Sequence, residues 1–313
     1  MPAPGPLRVA FLGNDEWSVP SLRALAGSAY EIVFVGTAVP KPAGRGNVLR
    51  PTPVADAARE LGLPLREVDT VRAGEGFKEL ATAEPDVLTV VAYGELLPPT
   101  VLRMPRVAPV NLHFSLLPKL RGASPVQTAL LIGAGTTGVT TILMDRGLDT
   151  GPILIQREEP VLPEDDAGLL GARLAEVGAS VLVETVDHLA AGPTAPRPQD
   201  DSLATYAPRF GPEDRVLDWT NPAGVLVNLV RALSPEPAAT TRFRGEGLKI
   251  FRAEIVEVNG EPGRVAEVDR DGFVVGTSAG GFRPLEVAPA GRKRMSAAEY
   301  VNGYRPDRGE RVG

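Results

Sequence analysis

The chain is 313 residues long, 43% hydrophobic and 23% charged, a length and balance that fit two globular domains, each large enough to bury a core. It has no cysteine and two histidines, His113 and His188, which excludes disulfides, thiolate metal sites and cysteine nucleophiles and argues against a histidine-rich metal centre. The net charge of −6 speaks against a protein that grips nucleic acid with its whole surface. That charge is uneven: 17 Lys and Arg stand against 24 Asp and Glu up to Tyr206, and 16 against 15 from Ala207 onward, so the second part is relatively basic.

The first residues, Met1–Gly13, carry neither the basic-then-apolar pattern of a secretory signal nor the pattern of a transit peptide, and no stretch approaches a membrane span. A cytoplasmic monomer is expected. An apolar run at Leu7–Leu12 ends in Gly13, Ser18–Ala26 reads as a helix entered through Pro20, and Glu31–Gly36 is a second apolar run. Strand, helix, strand in that order is the βαβ unit of a parallel sheet buried on both faces. The alternation continues with a helix at Val54–Leu61, a short strand around Pro64 and buried strands at Val87–Val91 and Val107–His113. A proline-broken loop, a helix near Pro125–Gly133, a β-branched strand at Gly138–Met144 and a long helix at Ala167–Ala191 follow.

Ala191–Asp201 is too rich in proline and charge to pack as an element, so the domain linker is expected at 192–206, between a first domain at 1–191 and a second at 207–313. Beyond it come a helix around Pro222–Leu233 and short β-rich runs at Leu248–Val258, Gly263–Asp269, Gly272–Thr277 and Phe282–Val287. Short strands at that spacing predict a small β-barrel. The sequence has no internal repeat.

Residues 133–138, Gly-Ala-Gly-Thr-Thr-Gly, match the spacing of a dinucleotide-binding fingerprint. That motif works where a strand leads in and a helix leaves, so that the helix N-terminus meets a pyrophosphate. Here a helix leads in and a strand leaves, which predicts a plain turn. The informative stretch is Asn111-Leu-His113-Phe-Ser115-Leu-Leu-Pro118, followed by Met144-Asp145-Arg-Gly147-Leu-Asp149. Residues two apart in a strand share a face, so Asn111 and His113 can converge at its carboxyl end, where ligands bind in open α/β sheets. An amide beside an imidazole, with an aspartate from a neighbouring loop, suits acyl transfer to an amine. Asn111 can hydrogen-bond the oxyanion, His113 can manage the proton and Asp149 can orient the ring. No Ser occupies a Gly-x-Ser-x-Gly elbow, which makes direct attack by the amine the simpler mechanism. The same Asn-x-His pattern also fits a turn whose polar groups are satisfied locally.

An ordered series of motifs spans nearly the whole chain. It includes Phe11-Leu-Gly13 with Val19-Pro-Ser-Leu22, Val91-Ala-Tyr-Gly94 with Leu97-Pro98, the Asn111–Pro118 segment, and Leu148-Asp-Thr-Gly151. It continues through Ala204-Thr-Tyr-Ala-Pro208, Asp218-Trp219, Arg231-Ala-Leu233, Pro289-Ala-Gly291 and Lys293-Arg-Met-Ser-Ala297. Through these the sequence resembles the formyltetrahydrofolate-dependent transferases, and among them the methionyl-tRNA formyltransferases. The resemblance implies an α/β fold with a Rossmann-like formyltransferase domain, followed by an OB-like β-barrel domain that binds tRNA. It also implies 10-formyltetrahydrofolate as formyl donor, no metal, and methionyl initiator tRNA as acceptor, for translation initiation.

On this resemblance Asn111, His113 and Asp149 match the catalytic trio, and Ser115, Leu116, Leu117 and Pro118 match the folate-binding loop. Asp145 matches the position that recognises the pterin, since a carboxylate can accept two N–H groups of an aminopyrimidine. Arg45, in Gly44-Arg-Gly46, matches the position that touches the tRNA acceptor arm. Asn47 and Val48 stand where many relatives carry lysines, so Lys41 and Arg50 are the alternative cations. Phe114 and Leu120 depart from the small residue and the tryptophan commoner there. Arg292, Lys293 and Arg294, with Arg305, Arg308 and Arg311, form either a phosphate-facing patch or a solvated surface. His188 reads as a helix-surface residue. A sugar-nucleotide N-formyltransferase shares the catalytic domain, but the motifs after Ala204 favour tRNA. A nicotinamide dehydrogenase needs Gly133–Gly138 to hold pyrophosphate, and a non-catalytic tRNA-binding protein leaves the trio without a purpose.

Overall fold

The structure is a computed structural model and describes residues 6–43, 48–192 and 194–313. Arg8–Gly13 forms β1, buried from its second residue onward, and Val19–Ala26 forms α1, with Pro20 in the first turn, where its missing N–H has no partner to lose. Next come β2 (Glu31–Ala38), β3 (Lys41–Ala43), β4 (Val48–Arg50), α2 (Pro53–Glu60), β5 (Leu65–Val68), α3 (Gly74–Thr82) and β6 (Val87–Val91). They are followed by α4 (Pro99–Leu102), β7 (Ala108–His113), α5 (Pro125–Leu131), β8 (Thr136–Leu143), β9 (Ile153–Pro160) and α6 (Ala167–Ala191). Thr52 caps α2, its hydroxyl accepting the Ala55 amide at 3.0 Å.

Seven of these strands form one sheet in the order β5-β2-β1-β6-β7-β8-β9. The strands from β5 to β7 are parallel, as the βαβ pattern predicts, and β8 and β9 return antiparallel. β6 is buried along its whole length, which is why it reads as a continuous apolar run rather than an alternation. β9 has no such signature: Ile153-Leu-Ile gives way to Gln156-Arg-Glu-Glu, and its second half is largely exposed at the sheet edge. The short α3, α4 and the β3–β4 hairpin are equally silent in the hydropathy pattern. Phe114 is buried and meets Trp17 edge-on, ring centroids 6.1 Å apart. Gly171 on α6 accommodates that indole, because a Cβ there would lie 2.1 Å from the Trp17 ring.

The chain divides into two compact units. The first comprises Met1–Ala123, Thr136–Pro160 and Gly171–Ala207; the second comprises Ser124–Gly135, Val161–Leu170 and Pro208–Gly313. The described residues of 192–206, where the linker was expected, fall in the first unit, and α5 falls in the second.

The second unit also holds α7 (Ala223–Leu233), β10 (Ala239–Phe243), β11 (Glu246–Val256), β12 (Val265–Asp269), β13 (Gly272–Gly276), β14 (Gly281–Pro289), β15 (Met295–Ser296) and α8 (Ala297–Tyr304). Its antiparallel sheet runs β10-β11-β14-β13-β12, with β15 on β14. The last residues tie the two outer strands together. Gly313 N donates to Arg242 O on β10, and Val265 N on β12 donates to Glu310 O, both at 2.8 Å, which gives the sheet its barrel character. Trp219, Phe273, Phe282 and Tyr300 fill the interior, and the Trp219 and Phe282 rings pack edge-to-face at 5.3 Å. Phe282→Ala is expected to cost about 3–5 kcal/mol. The measurement is the urea midpoint reported by Trp219 fluorescence in a Trp17→Phe background, and an unmoved midpoint rejects Phe282 as a core anchor.

Candidate active site

β7 carries Asn111 and His113 to the edge where β6 also ends, Val91 pairing with Leu112. His113 is 6% exposed. Its Nε2 lies 2.9 Å from the Leu120 carbonyl oxygen; a carbonyl only accepts, which assigns the hydrogen to that nitrogen. Nδ1 faces Asp149 Oδ2 across 3.7 Å, longer than a hydrogen bond. Asn111, half-buried, makes no side-chain hydrogen bond to any described residue. The expected trio is therefore together at one strand end, with the amide unengaged and the imidazole between two acceptors.

Asp149 sits in the left-handed backbone region, φ 56, and its Oδ2 accepts the Gly122 amide at 2.9 Å. Gln199 Nε2 donates to the carbonyls of Asp149 and Gly151, each at 2.7 Å. Residues 120–122 are themselves anchored: Leu120 N donates to Thr205 Oγ1 at 2.9 Å, Arg121 N to Thr205 O at 2.9 Å and Ala207 N to Arg121 O at 2.8 Å. Gly122, at φ 123, has no room for a side chain, since a Cβ would stand 2.6 Å from Ala207 O. Gln199 has no signal in the sequence, lying in the stretch whose composition reads as a linker; Thr205 belongs to the Ala204–Pro208 motif, which gives no hint of the bonds it makes.

The Ser115–Pro118 loop is held from beneath. Ser115 Oγ donates to Lys119 O at 2.6 Å, Thr140 Oγ1 donates to Ser115 O at 2.6 Å and accepts the Leu117 amide at 3.2 Å. Gln156 Nε2 donates to Leu117 O at 2.6 Å. A Cβ on Gly138 would stand 2.1 Å from the Arg157 carbonyl oxygen and 2.6 Å from Leu116 Cδ2, which explains that glycine as a close approach. α5 enters and β8 leaves the Gly133–Gly138 segment, the arrangement expected of a plain turn. Asp145 is exposed, and its Oδ1 accepts the Gly147 amide at 2.9 Å and the Thr150 hydroxyl at 2.7 Å, closing its own loop.

Asn14, which the sequence pattern does not single out, ties three strand ends together. Its Oδ1 accepts the Ala38 amide at 2.8 Å and the Thr37 hydroxyl at 3.0 Å, and its Nδ2 donates to Tyr93 O. Burial, reinforced by Glu95, holds the Tyr93 phenol well above its ordinary range, and burial likewise raises the Asp15 carboxyl. A polar residue directly after the Gly13 that ends β1 is the one sequence feature that could have marked Asn14.

Lys41 and Arg50 face each other in the β3–β4 register, with Val48 61% and Leu49 63% exposed beside them. Arg45, together with Asn47, lies outside the described residues. Arg292, Lys293, Arg305, Arg308 and Arg311 are exposed. Arg294 is engaged: its guanidinium stacks 3.6 Å over the Phe251 ring and donates to Pro235 O at 3.0 Å. His188 is exposed on α6. Among the described residues no helix is long and apolar enough to cross a membrane, and no group of three or more His, Asp or Glu is placed to hold a metal ion.

The first unit is a parallel-rich α/β unit with this strand-end site, and the second is antiparallel and barrel-like. Residues 7–186 match the family model described as formyl transferase, and residues 209–305 match formyl transferase, C-terminal domain. The chain belongs to the formyl transferase family. It is 40% identical over 307 residues to the methionyl-tRNA formyltransferase of Geobacter sulfurreducens, covering 98% of this chain and 97% of that one. It is 42% identical over 309 residues to that of Moorella thermoacetica, covering 98% and 99%. Among solved structures it is similar in fold to a sugar 3N-formyltransferase, WlaRD, at TM-score 0.67 and 18% identity, covering 92% of this chain and 99% of that one. It is also similar to the methionyl-tRNA formyltransferase of Clostridium thermocellum, at TM-score 0.58 and 16% identity, covering 80% and 93%.

Gly122→Ala is expected to break the pairing between Arg121 and Ala207. The check is amide hydrogen exchange at these two residues: faster exchange with a folded core supports the close approach, and unchanged protection refutes it.

Proposed function

We propose that the protein transfers the formyl group of 10-formyltetrahydrofolate to the α-amine of methionine esterified to initiator tRNA. The observation that carries this reading is the length of the likeness to methionyl-tRNA formyltransferases, which runs through both units at 40–42% identity. On this reading the first unit does the chemistry, the second meets the tRNA, and the protein works in the cytoplasm.

The donor supplies an activated formyl carbon. Asn111, whose amide has no partner among the described residues, donates to the formyl oxygen as that oxygen gains negative charge, a contact that strengthens toward the transition state. His113, when protonated, adds positive charge beside the same oxygen. Its ring is held by Leu120 O on one side and by the Asp149 carboxylate on the other. The bond that forms joins the amine nitrogen to the formyl carbon, and the bond that breaks joins that carbon to the donor nitrogen. The proton lost by the amine passes to the His113–Asp149 pair and then to the departing nitrogen. The Ser115–Pro118 loop and the exposed Asp145 carboxylate suit a folate, the latter by accepting N–H groups of the aminopyrimidine.

Lys41, Arg50, Arg45, Arg292 and Lys293 are the residues proposed to meet tRNA phosphates, while Arg294, being stacked and hydrogen-bonded, contributes field more than direct contact. Each lost phosphate contact should lower the slope of log affinity against log salt by about 1. Measuring that slope for Lys293→Ala and Arg292→Ala tests the assignment, and an unchanged slope removes those two from the interface.

Offering methionyl initiator tRNA, methionyl elongator tRNA and a 4-amino sugar nucleotide in competition tests the acceptor. Initiator-selective formylation is expected, and transfer to the sugar alone overturns the acceptor. His113→Ala should lower turnover by about 10²–10⁴-fold with little change in thermal stability; near-normal turnover removes His113 from the mechanism.

A further inference from the structure

We infer that Gln199 is a positioning residue that holds Asp149 in its working conformation; the inference rests on the proposed part of Asp149 in formyl transfer. Gln199 comes from the stretch whose composition reads as a linker, more than forty residues after the loop it serves. Its carboxamide is fully engaged. The two hydrogens on Nε2 go to the carbonyls of Asp149 and Gly151, each at 2.7 Å. Oε1 accepts from Arg121 Nε at 3.1 Å and from Arg121 Nη2 at 2.7 Å. Because a guanidinium only donates and a carbonyl only accepts, the amide has one permitted orientation.

Arg121 is 2% exposed, and a guanidinium this buried needs partners for its charge. It finds them in Gln199 and in Asp201 Oδ1 at 2.7 Å, whose side chain is 81% exposed. The charge-assisted bond fixes Gln199, and Gln199 fixes the Asp149 backbone at φ 56, a conformation that a non-glycine residue holds only when its surroundings impose it. The neighbours of Arg121 grip the reacting side chains directly: the Leu120 carbonyl accepts the His113 ring hydrogen and the Gly122 amide donates to the Asp149 carboxylate. One three-residue segment and one amide thus set both ends of the imidazole–carboxylate pair. A glutamate at 199 could still pair with Arg121 but could not donate to the two carbonyls, and an alanine could do neither.

The test compares Gln199→Ala and Gln199→Glu with the unaltered protein. Formyl transfer to methionyl initiator tRNA should show kcat lowered by about 10–100-fold for both variants, with KM for either substrate within about twofold. In an Asp149→Ala background the further change to Gln199→Ala should lower kcat by less than about twofold, because the two act as one unit. Wild-type kcat in Gln199→Ala, or losses that multiply independently of Asp149, overturn the inference. A second measurement does not depend on turnover. The chain has two histidines, so the imidazole ¹H–¹⁵N resonances of His113 can be followed alone, with exposed His188 as internal reference. Gln199→Glu should shift those of His113 and leave those of His188 in place, whereas an unshifted His113 ring overturns the positioning role. Absence of formyl transfer in the unaltered protein would instead count against the proposed reaction, leaving the resonance test to decide on Gln199.

Discussion

β8 runs antiparallel to β7, and the rest of the site follows from that reversal. Leu143 at the end of β8 pairs with Val110, while Thr140 pairs with His113, so the loop leaving β8 starts beside Pro109, whose carbonyl accepts the Met144 amide at 2.9 Å. That is about 13 Å short of His113 along the strand. The loop has to travel back toward the carboxyl end before Asp149 can face the imidazole, and it does so through a left-handed residue and two carbonyls turned toward Gln199. A parallel β8 would have delivered its following loop to the site directly. The antiparallel return makes external support of the loop a requirement.

That support comes from residues 197–207, and it reaches both halves of the site. Arg197 pairs main chain to main chain with Ile153 at 2.8 Å in each direction, and its guanidinium donates to Gln156 Oε1 at 2.6 Å. Gln156 in turn holds the Leu117 carbonyl at 2.6 Å. Thr205 anchors residues 120 and 121. This stretch forms no regular strand of the sheet. It can supply side-chain donors and isolated bridges, and these are the bonds seen here.

The second unit reaches closure by a different device. Its two outer strands are tied by main-chain bonds to residues 310–313, which occupy part of the hydrogen-bonding edge of each. Several arginines there serve the fold as well as the surface. Arg244 pairs with Glu310 at 2.8 Å and donates to the carbonyls of Tyr304 and Arg305, and Arg283 pairs with Asp269 at 2.7 Å. Net charge by segment therefore overstates how many cations stand ready for an anionic partner.

Hydropathy and motif alone determined the βαβ order of the first unit, the short-strand character of the second and the family, and they placed Asn111 and His113 on one face of a strand. Those features are local: a buried parallel strand must be apolar throughout, an Asn-x-His pair shares a face by the period of a strand, and a helix-to-strand turn cannot hold a pyrophosphate at a helix N-terminus. Only the tertiary structure decided that α5 and residues 161–170 belong with the second unit, that β9 completes the sheet, that Asn14 links three strand ends, and that Gln199, Arg121 and Thr205 brace the Asp149 loop. Each of these depends on contacts between residues far apart in the chain, made by side chains whose type is common on any surface. The partners of a hydrogen bond leave no periodic trace in sequence, so they become visible only when the fold brings donor and acceptor within 3 Å.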